Sequence, residues 1–453
     1  MGRSLARRTL HVSLSVQLVS HASIIVTTPD VVLWCDPWLD GTAFNASWRL
    51  YPPAVFDSAQ FERIDAIWIS HEHPDHFHVP TLRGLPADFK QRVKVYIQQN
   101  NSDKMRAALE RFGFSDVQAI AHREQVTVGQ TRLYVYQVGQ MDSALGVRSG
   151  SRCLLNLNDC EVTRQDCGLM RRDLGAPDVV FNQFSMAGYN GSPDTHEVLS
   201  QDAANILENV LDVHRCLGAA YTVPFASFVY FCCVDNSFIN EHANSPLDVR
   251  DKLAAHGLRT AMMKPGDSLE VGSPWPSERN AAYFEAVKRE LASLPLDDPG
   301  PRAVAEIREA FQQRVEQLHE AFPRTLLRLL EPVSVWVADL QVALRFDLRT
   351  GAFEELPHPA PEDCDLVVRS QPLWFAFKFP FGVQTLGVSG RFRVQHNAKN
   401  WRRHRILFSL NNAEVYLRPR HLVQGRTVAW LWQRRRGFSA QVAYQLRRMR
   451  GPQ

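Results

Sequence analysis

With 453 residues, the chain is long enough for two or three units around separate cores. A hydrophobic content of 45% and a charged content of 22% are those of an ordinary globular protein. The net charge of only +3 gives no case for a nucleic-acid partner.

The chain opens with Arg3, Arg7 and Arg8 ahead of an apolar stretch, an arrangement that imitates a signal peptide. Val12, Leu14, Val16 and Leu18 alternate with His11, Ser13, Ser15 and Gln17, however, which is strand periodicity rather than an unbroken apolar core. Residues 11–34 therefore predict a hairpin, closed by Thr28-Pro29-Asp30 and ended by Asp36-Pro37-Trp38. Ile64–Ser70 reads as a buried strand running straight into a histidine-rich loop. Arg92–Tyr96 and Thr131–Gln137 follow as strands, with a helix predicted over Ser102–Phe112. Ala144–Val147 and Cys153–Asn158 form a second hairpin around Ser149-Gly150-Ser151. A helix at Ser200–His214 and a strand at Cys216–Pro224 complete an α/β pattern.

Glu278–Leu330 is helical in pattern and poor in glycine, and is expected to link to or pack against the preceding domain. From Val333 onward, Val335–Val337, Val342–Phe346, Cys364–Arg369 and Leu373–Phe379 predict strands of a small α+β module spanning 331–453. After Trp401 the chain carries many arginines, among them Arg402, Arg403, Arg405, Arg434, Arg435, Arg436, Arg447, Arg448 and Arg450. They read as a solvated face, with a docking surface for acidic partners as the other reading. Eight cysteines without a Cys-x-x-Cys pair fit free thiols, hence a cytoplasmic protein, and no apolar run is long enough to span a bilayer.

His71-Glu72-His73-Pro74-Asp75-His76 places three imidazoles and two carboxylates directly after an apolar strand. In an extended loop, residues two apart point the same way, so His71 and His73 can converge on one ion. Asp75 and His76, where the chain turns into a helix over Val79–Leu85, can face a second. Two adjacent ions need an anionic bridge, because their charges repel strongly at low dielectric. Asp159, which ends the strand of Asn156-Leu157-Asn158, is the candidate bridge. Imidazole with carboxylate suits zinc and iron alike.

These residues resemble the metallo-β-lactamase superfamily, in the branch of L-ascorbate-6-phosphate lactonase and the N-acylphosphatidylethanolamine phospholipases. Ser20-His21-Ala22-Ser23 and Asp36-Pro37-Trp38-Leu39 carry the likeness to that branch. Met141-Asp142-Ser143, Leu155–Cys160, Pro224-Phe225-Ala226 and Lys264-Pro265-Gly266 extend it toward the non-Rieske part of the CMP-N-acetylneuraminate hydroxylases. The resemblance implies an αββα sandwich over 1–277, a helical segment over 278–330 and the smaller α+β module over 331–453. It implies a metal-dependent enzyme with two metal ions, acting on a small molecule: a nonheme diiron oxygenase using O2, or alternatively a dinuclear zinc hydrolase of phosphodiester or lactone bonds. A binding protein with one weak metal site is a third reading.

Two departures from the hydrolase pattern bear on that choice. The third histidine of the first ion is absent from Val138–Asp142, leaving Asp142 as the nearest ligand, and a carboxylate there favours iron. The final histidine of the second ion is absent from Pro224–Phe228, leaving His242, Cys233 or His196 as substitutes. No Cys-x-His paired with Cys-x-x-His occurs, so electrons for O2 reduction are expected from a separate donor protein or from the substrate. The last module resembles the sterol carrier protein fold in Trp374–Phe379 and Leu386–Phe392, where the aromatic density reads as core. Tyr189, Tyr221 and the arginines of that module are expected to line the substrate pocket.

Overall fold

A computed structural model describes residues 14–99, 103–139, 141–189, 191–192, 195–357, 360–412 and 417. Residues 11–13 of the expected first strand and the arginines beyond 417 lie outside them.

Two sheets face each other. The first has seven strands in the order Ser268–Glu270, Ser15–Leu18, Ile24–Thr27, Val32–Cys35, Ala66–Ile69, Lys94–Gln98 and Asp116–Ile120. Its first four strands are antiparallel neighbours, and the remaining pairs are parallel. The second has six strands in the order Tyr221–Phe225, Val179–Gln183, Arg152–Asn156, Asp142–Ser149, Thr131–Val138 and Gln125–Val128.

Period-2 alternation sends each strand's side chains into two different cores. Ala66 and Trp68 point into the layer between the sheets, beside Leu33, Leu145, Leu154 and Phe181. Ile67 and Ile69 point the other way, onto Leu82, Phe89, Met105 and Leu109 of the outer helices Val79–Gly84, Ala87–Arg92 and Lys104–Phe112. Across the molecule, Cys153 and Leu155 pack outward against Met170, Leu174, Val213 and Leu217 of helices Arg164–Leu174 and Thr195–Leu217. The result is the four-layered αββα sandwich of the metallo-β-lactamase fold, and no helix among the described residues is long and apolar enough to cross a membrane.

A distinct α+β module follows. Its five strands run in the order Ala352–Leu356, Val342–Asp347, Val333–Val337, Leu366–Val368 and Phe392–Val394. Within the segment 278–330, helix Ala281–Glu290 adds Phe284 to the core of the sandwich, whereas helix Val304–Ala321 contributes Ile307, Phe311, Val315 and Leu318 to the module's core.

Two expected strands are corrected. Leu373–Phe379 lies mostly in helix Ser370–Lys378, where Leu373, Ala376 and Phe377 form one buried face at helical spacing. A short continuous apolar run is compatible with either element, and here the i, i+3, i+4 spacing prevails. Cys216 lies in the last turn of helix Thr195–Leu217 instead of opening a strand; Gly218 follows the helix with φ +64°, and the strand starts at Tyr221.

The second module grips one loop of the sandwich. Phe44, Asn45 and Ala46 all have positive φ, at 51°, 60° and 57°. Asn45 exchanges a pair of amide hydrogen bonds with Gln371 (3.0 and 2.7 Å), and the buried Arg391 donates to Asp235 (2.8 Å) and Gln371 (3.1 Å). The backbone N–H of Tyr189 donates to the carbonyl of Gly387 (2.9 Å), and Asn236 donates to that of Ser389 (2.8 Å).

Candidate metal centre

The polar residues collect at one edge of the sandwich, where the parallel strands end. Strand Val32–Cys35 delivers Asp36, Ala66–Ile69 delivers Ser70 and His71, and Arg152–Asn156 leads to Asn158 and Asp159. Strand Asp142–Ser149 runs antiparallel to its neighbours, so its first residue, Asp142, reaches the same edge. After His71 the chain makes a tight turn, with the N–H groups of His76 and Phe77 both donating to the carbonyl of His73 (3.0 and 2.7 Å). His78 then caps helix Val79–Gly84, and burial first of all lowers its pKa to about 4.

The structure brings six of the predicted residues together. His71 Nε2 lies 2.7 Å from His73 Nδ1 and 3.9 Å from Asp142 Oδ1. His76 Nε2 lies 3.3 Å from Asp75 Oδ2. One oxygen of Asp159 stands 3.7 Å from His71 Nε2 and 3.5 Å from His76 Nε2, between the two halves. His71, His73 and Asp142 offer three ligand atoms within 4.8 Å of one another, as do His71, His76 and Asp159.

A hydrogen-bond network sets which nitrogens are free. Asp36 is fully buried; it accepts the Ser70 N–H on Oδ1 (2.8 Å) and the Ser70 hydroxyl on Oδ2 (2.8 Å). His76 Nδ1 donates to Asp36 Oδ2 (2.9 Å), and His71 Nδ1 donates to Ser70 Oγ (2.9 Å). With their Nδ1 protons engaged, both imidazoles turn Nε2 toward the cluster, the nitrogen left to an ion once any proton on it is displaced.

The electrostatics differ between the two halves. Burial drives the His71 imidazole well below its ordinary value, so it is neutral. Burial opposes charge on His76 too, but the carboxylates of Asp75, Asp159 and Asp36 outweigh it and hold this imidazolium well above the usual range. Asp159 is likewise penalised by burial, yet the imidazoles of His76 and His71 pull it below the ordinary carboxylate value. Burial, then the charge of Asp159, raises Asp142 to about 7.

The donor set fits a cation. His76 Nε2, Asp75 Oδ1 and Asp159 Oδ1 are buried without a hydrogen-bond partner, a costly arrangement for polar atoms unless something coordinates them. Clustered imidazoles and carboxylates with orphaned lone pairs are what one or two transition-metal ions require.

Other predicted residues lie elsewhere. His242 does not join Asp75 and His76; its Nε2 is 2.9 Å from His196 Nδ1, and with Glu241 these two form a separate, more exposed cluster. Cys233 directs its thiol to the carbonyl of Ala46 (3.3 Å). Tyr221 begins its strand and so sits at the opposite end from the cluster, where Arg259 stacks on its ring at 4.4 Å. Tyr189 is buried against Phe238, with its ring centroid 5.5 Å away. Among the arginines of the last module, Arg391 is engaged with Asp235 and Gln371 rather than with the cluster. Sequence reasoning noted His21 only as part of a family-like opening, yet it is 1% exposed with Nε2 3.1 Å from Asp75 Oδ2. That contact spans 54 positions, and no local pattern announces it.

Comparison with known proteins finds three kinds of likeness. The Beta-lactamase superfamily domain family matches residues 15–161. A Mycobacterium tuberculosis (strain H37Rv) protein named as a Rieske 2Fe-2S iron-sulfur protein is 24% identical over 434 residues, covering 84% of this chain and 81% of that protein. The cytidine monophosphate-N-acetylneuraminic acid hydroxylase of Danio rerio is 23% identical over 272 residues, which is 56% of this chain and 45% of the hydroxylase. The chain therefore spans less than half of that relative. Among solved structures, CmlA, a diiron beta-hydroxylase from Streptomyces venezuelae, aligns at 18% identity with a TM-score of 0.42, covering 57% of this chain and 54% of its own.

Proposed function

We propose that this chain, a metal-dependent enzyme built on a metallo-β-lactamase-fold domain, is a nonheme diiron oxygenase. In this reading His71, His73 and Asp142 hold one iron, Asp75 and His76 hold the other, and Asp159 bridges them. The carrying observation is Asp142, a carboxylate placed beside His71 and His73 where a zinc hydrolase of this fold would bring a third imidazole. Three carboxylates against three imidazoles make a hard, anionic donor set, which suits iron better than zinc. The hydroxylase names of the relatives support the same class, and Ser20–Ser23 with Asp36–Leu39 is consistent with the lactonase-like branch of the superfamily.

Bound iron would supply the redox chemistry of O2 activation. The chain's own residues prepare the place. Asp36 and Ser70 fix the tautomers of His76 and His71. Trp38, Trp48 and Phe44 wall the cluster with apolar surface, Phe44 lying 6.2 Å from the His73 ring between centroids. Such a wall excludes water and strengthens every charge interaction inside it. Electrons for O2 reduction would come from an electron-donor protein or from the substrate itself.

The second reading, a dinuclear hydrolase of phosphodiester or lactone bonds, draws on the neutral His71 imidazole, a ligand that zinc takes as readily as iron. One experiment separates them: metal analysis of anaerobically purified protein, followed by O2 uptake with a chemical reductant. Two irons with reductant-dependent O2 consumption support the oxygenase. Two zincs after iron-supplemented expression, no O2 uptake, and hydrolysis of a generic phosphodiester lost in His73→Ala would overturn it.

A further inference from the structure

The dinuclear reading leaves the second ion one ligand short, since Asp75, His76 and the shared Asp159 are the only donors assigned to it. The strand end where a final histidine is expected carries Ala226 instead. We propose that His21, from the turn between the first two strands, is the remaining ligand of the second ion. This inference rests on the dinuclear reading above and adds to it a residue from a different part of the chain.

Geometry supports a direct bond. Metal–nitrogen and metal–oxygen bonds of about 2.0–2.2 Å, opened by 90° to 109°, set adjacent donor atoms roughly 3.0–3.5 Å apart. His21 Nε2 to Asp75 Oδ2 is 3.1 Å, Asp75 Oδ2 to His76 Nε2 is 3.3 Å, and His76 Nε2 to Asp159 Oδ2 is 3.5 Å. Three successive edges thus have the length of a coordination polyhedron. His21, Asp75 and His76 are all buried and offer ligand atoms within 4.8 Å of one another.

Position supports it as well. Ala226 donates its backbone N–H to the carbonyl of His21 (2.9 Å), so the two residues adjoin where the edges of the two sheets meet. Ala226 stands at φ +49° with only a methyl group, and it sends no donor toward the cluster. The neighbouring turn brings an imidazole to the same rim. The turn is firm: Val19 and Ser20 both donate backbone N–H groups to the Ser23 carbonyl (2.8 and 3.2 Å), and Ser20 Oγ donates to the Trp38 carbonyl (2.7 Å). Trp38 and Trp48 hold the ring edge-on, at centroid distances of 5.6 and 6.3 Å.

The competing role is positional, with His21 Nε2–H donating to Asp75 and never meeting the ion. Glutamine at this position separates the two, because its amide can still donate to Asp75 but is a poor transition-metal ligand. The test is metal stoichiometry after reconstitution with cobalt(II) and dialysis, measured on the wild-type chain and His21→Gln, with folding checked by circular dichroism. Two equivalents in the wild type and one in His21→Gln are expected. Two in both overturn the ligand role of His21 and leave the dinuclear reading standing. Fewer than two in the wild type overturn the dinuclear reading itself. If His21→Gln does not fold, the cadmium-113 form of the wild-type chain with nitrogen-15 histidine decides. A metal–nitrogen coupling assigned to His21 supports the proposal, and couplings confined to other histidines overturn it.

Discussion

In the dinuclear reading, replacing Asp36 by asparagine exchanges one carboxylate oxygen for an amide NH2 at almost no change in volume, and it is expected to weaken binding of the ion held by Asp75 and His76. Asp36 accepts three hydrogen bonds, from Ser70 N–H, Ser70 Oγ–H and His76 Nδ1–H. An asparagine that keeps its oxygen on the Ser70 N–H must turn its NH2 toward His76 Nδ1. That nitrogen then has to accept, so the His76 proton moves to Nε2, the atom that faces Asp75 and Asp159. The opposite amide orientation sets NH2 against the Ser70 N–H and loses a buried hydrogen bond. Loss of such a partner typically weakens metal binding about 10- to 100-fold, or roughly 1.4–2.7 kcal/mol. Asp36→Ala goes further, leaving Ser70 and His76 unpaired in the interior at about 3–5 kcal/mol of folding stability. Competition titration against a chromophoric chelator, alongside thermal unfolding of the metal-free protein, reads both effects. A fully folded Asp36→Asn variant that binds both ions with wild-type affinity would refute the tautomer argument.

Other consequences follow from the same geometry. Asp142 sits at about 7 in the metal-free protein, above its unfolded value, so ion binding at the His71–His73–Asp142 half displaces a proton below that pH. The logarithm of its affinity should rise by about one per pH unit from pH 5 to 7 and then flatten, and Asp142→Asn should abolish that slope in an isothermal titration series. The same sign means that this group's contribution to metal-free stability is most favourable at acid pH and is lost as pH rises through 7. Asp159→Ala should reduce bound metal below that of either single-site variant, since its one oxygen serves both halves; inductively coupled plasma analysis checks this. Gln371→Ala removes the amide pair with Asn45 and should lower stability by about 1–3 kcal/mol while leaving metal content unchanged. Metal loss in that variant would refute a purely structural link between the modules.

The histidine loop was legible in the sequence because its determinants are local. A buried strand, a residue spacing of two and a turn into a helix suffice to aim His71, His73, Asp75 and His76, and Asp159 follows from the same kind of strand end. His21 was not legible as a contributor, because its approach to Asp75 depends on the pairing of the first strands and their place beside the end of Tyr221–Phe225. His242 shows the reverse error. It lies in a plausible stretch of chain, but the short helix Ser237–His242 turns it toward His196 on another helix, a juxtaposition that no spacing encodes. In the last module, Leu373–Phe379 misled because five apolar residues in a row carry no period.

Backbone strain marks the site independently of its ligands. Asp36, Asn158 and Ala226, with φ of 40°, 54° and 49°, all follow strand ends at the rim, and Phe44–Ala46 repeats the left-handed conformation beside His73. Each such residue costs on the order of 1–3 kcal/mol and persists only where the surroundings over-determine it. Here they do. Ser70 pins the Asp36 side chain, the Asn156 side chain accepts the Asn158 N–H (3.0 Å), the His21 carbonyl accepts the Ala226 N–H (2.9 Å), and Gln371 holds Asn45. The strained backbone is thus held by contacts among protein groups on every side of the rim. Positional precision at the rim therefore comes from the fold itself, as a set of ligands held to fractions of an ångström requires.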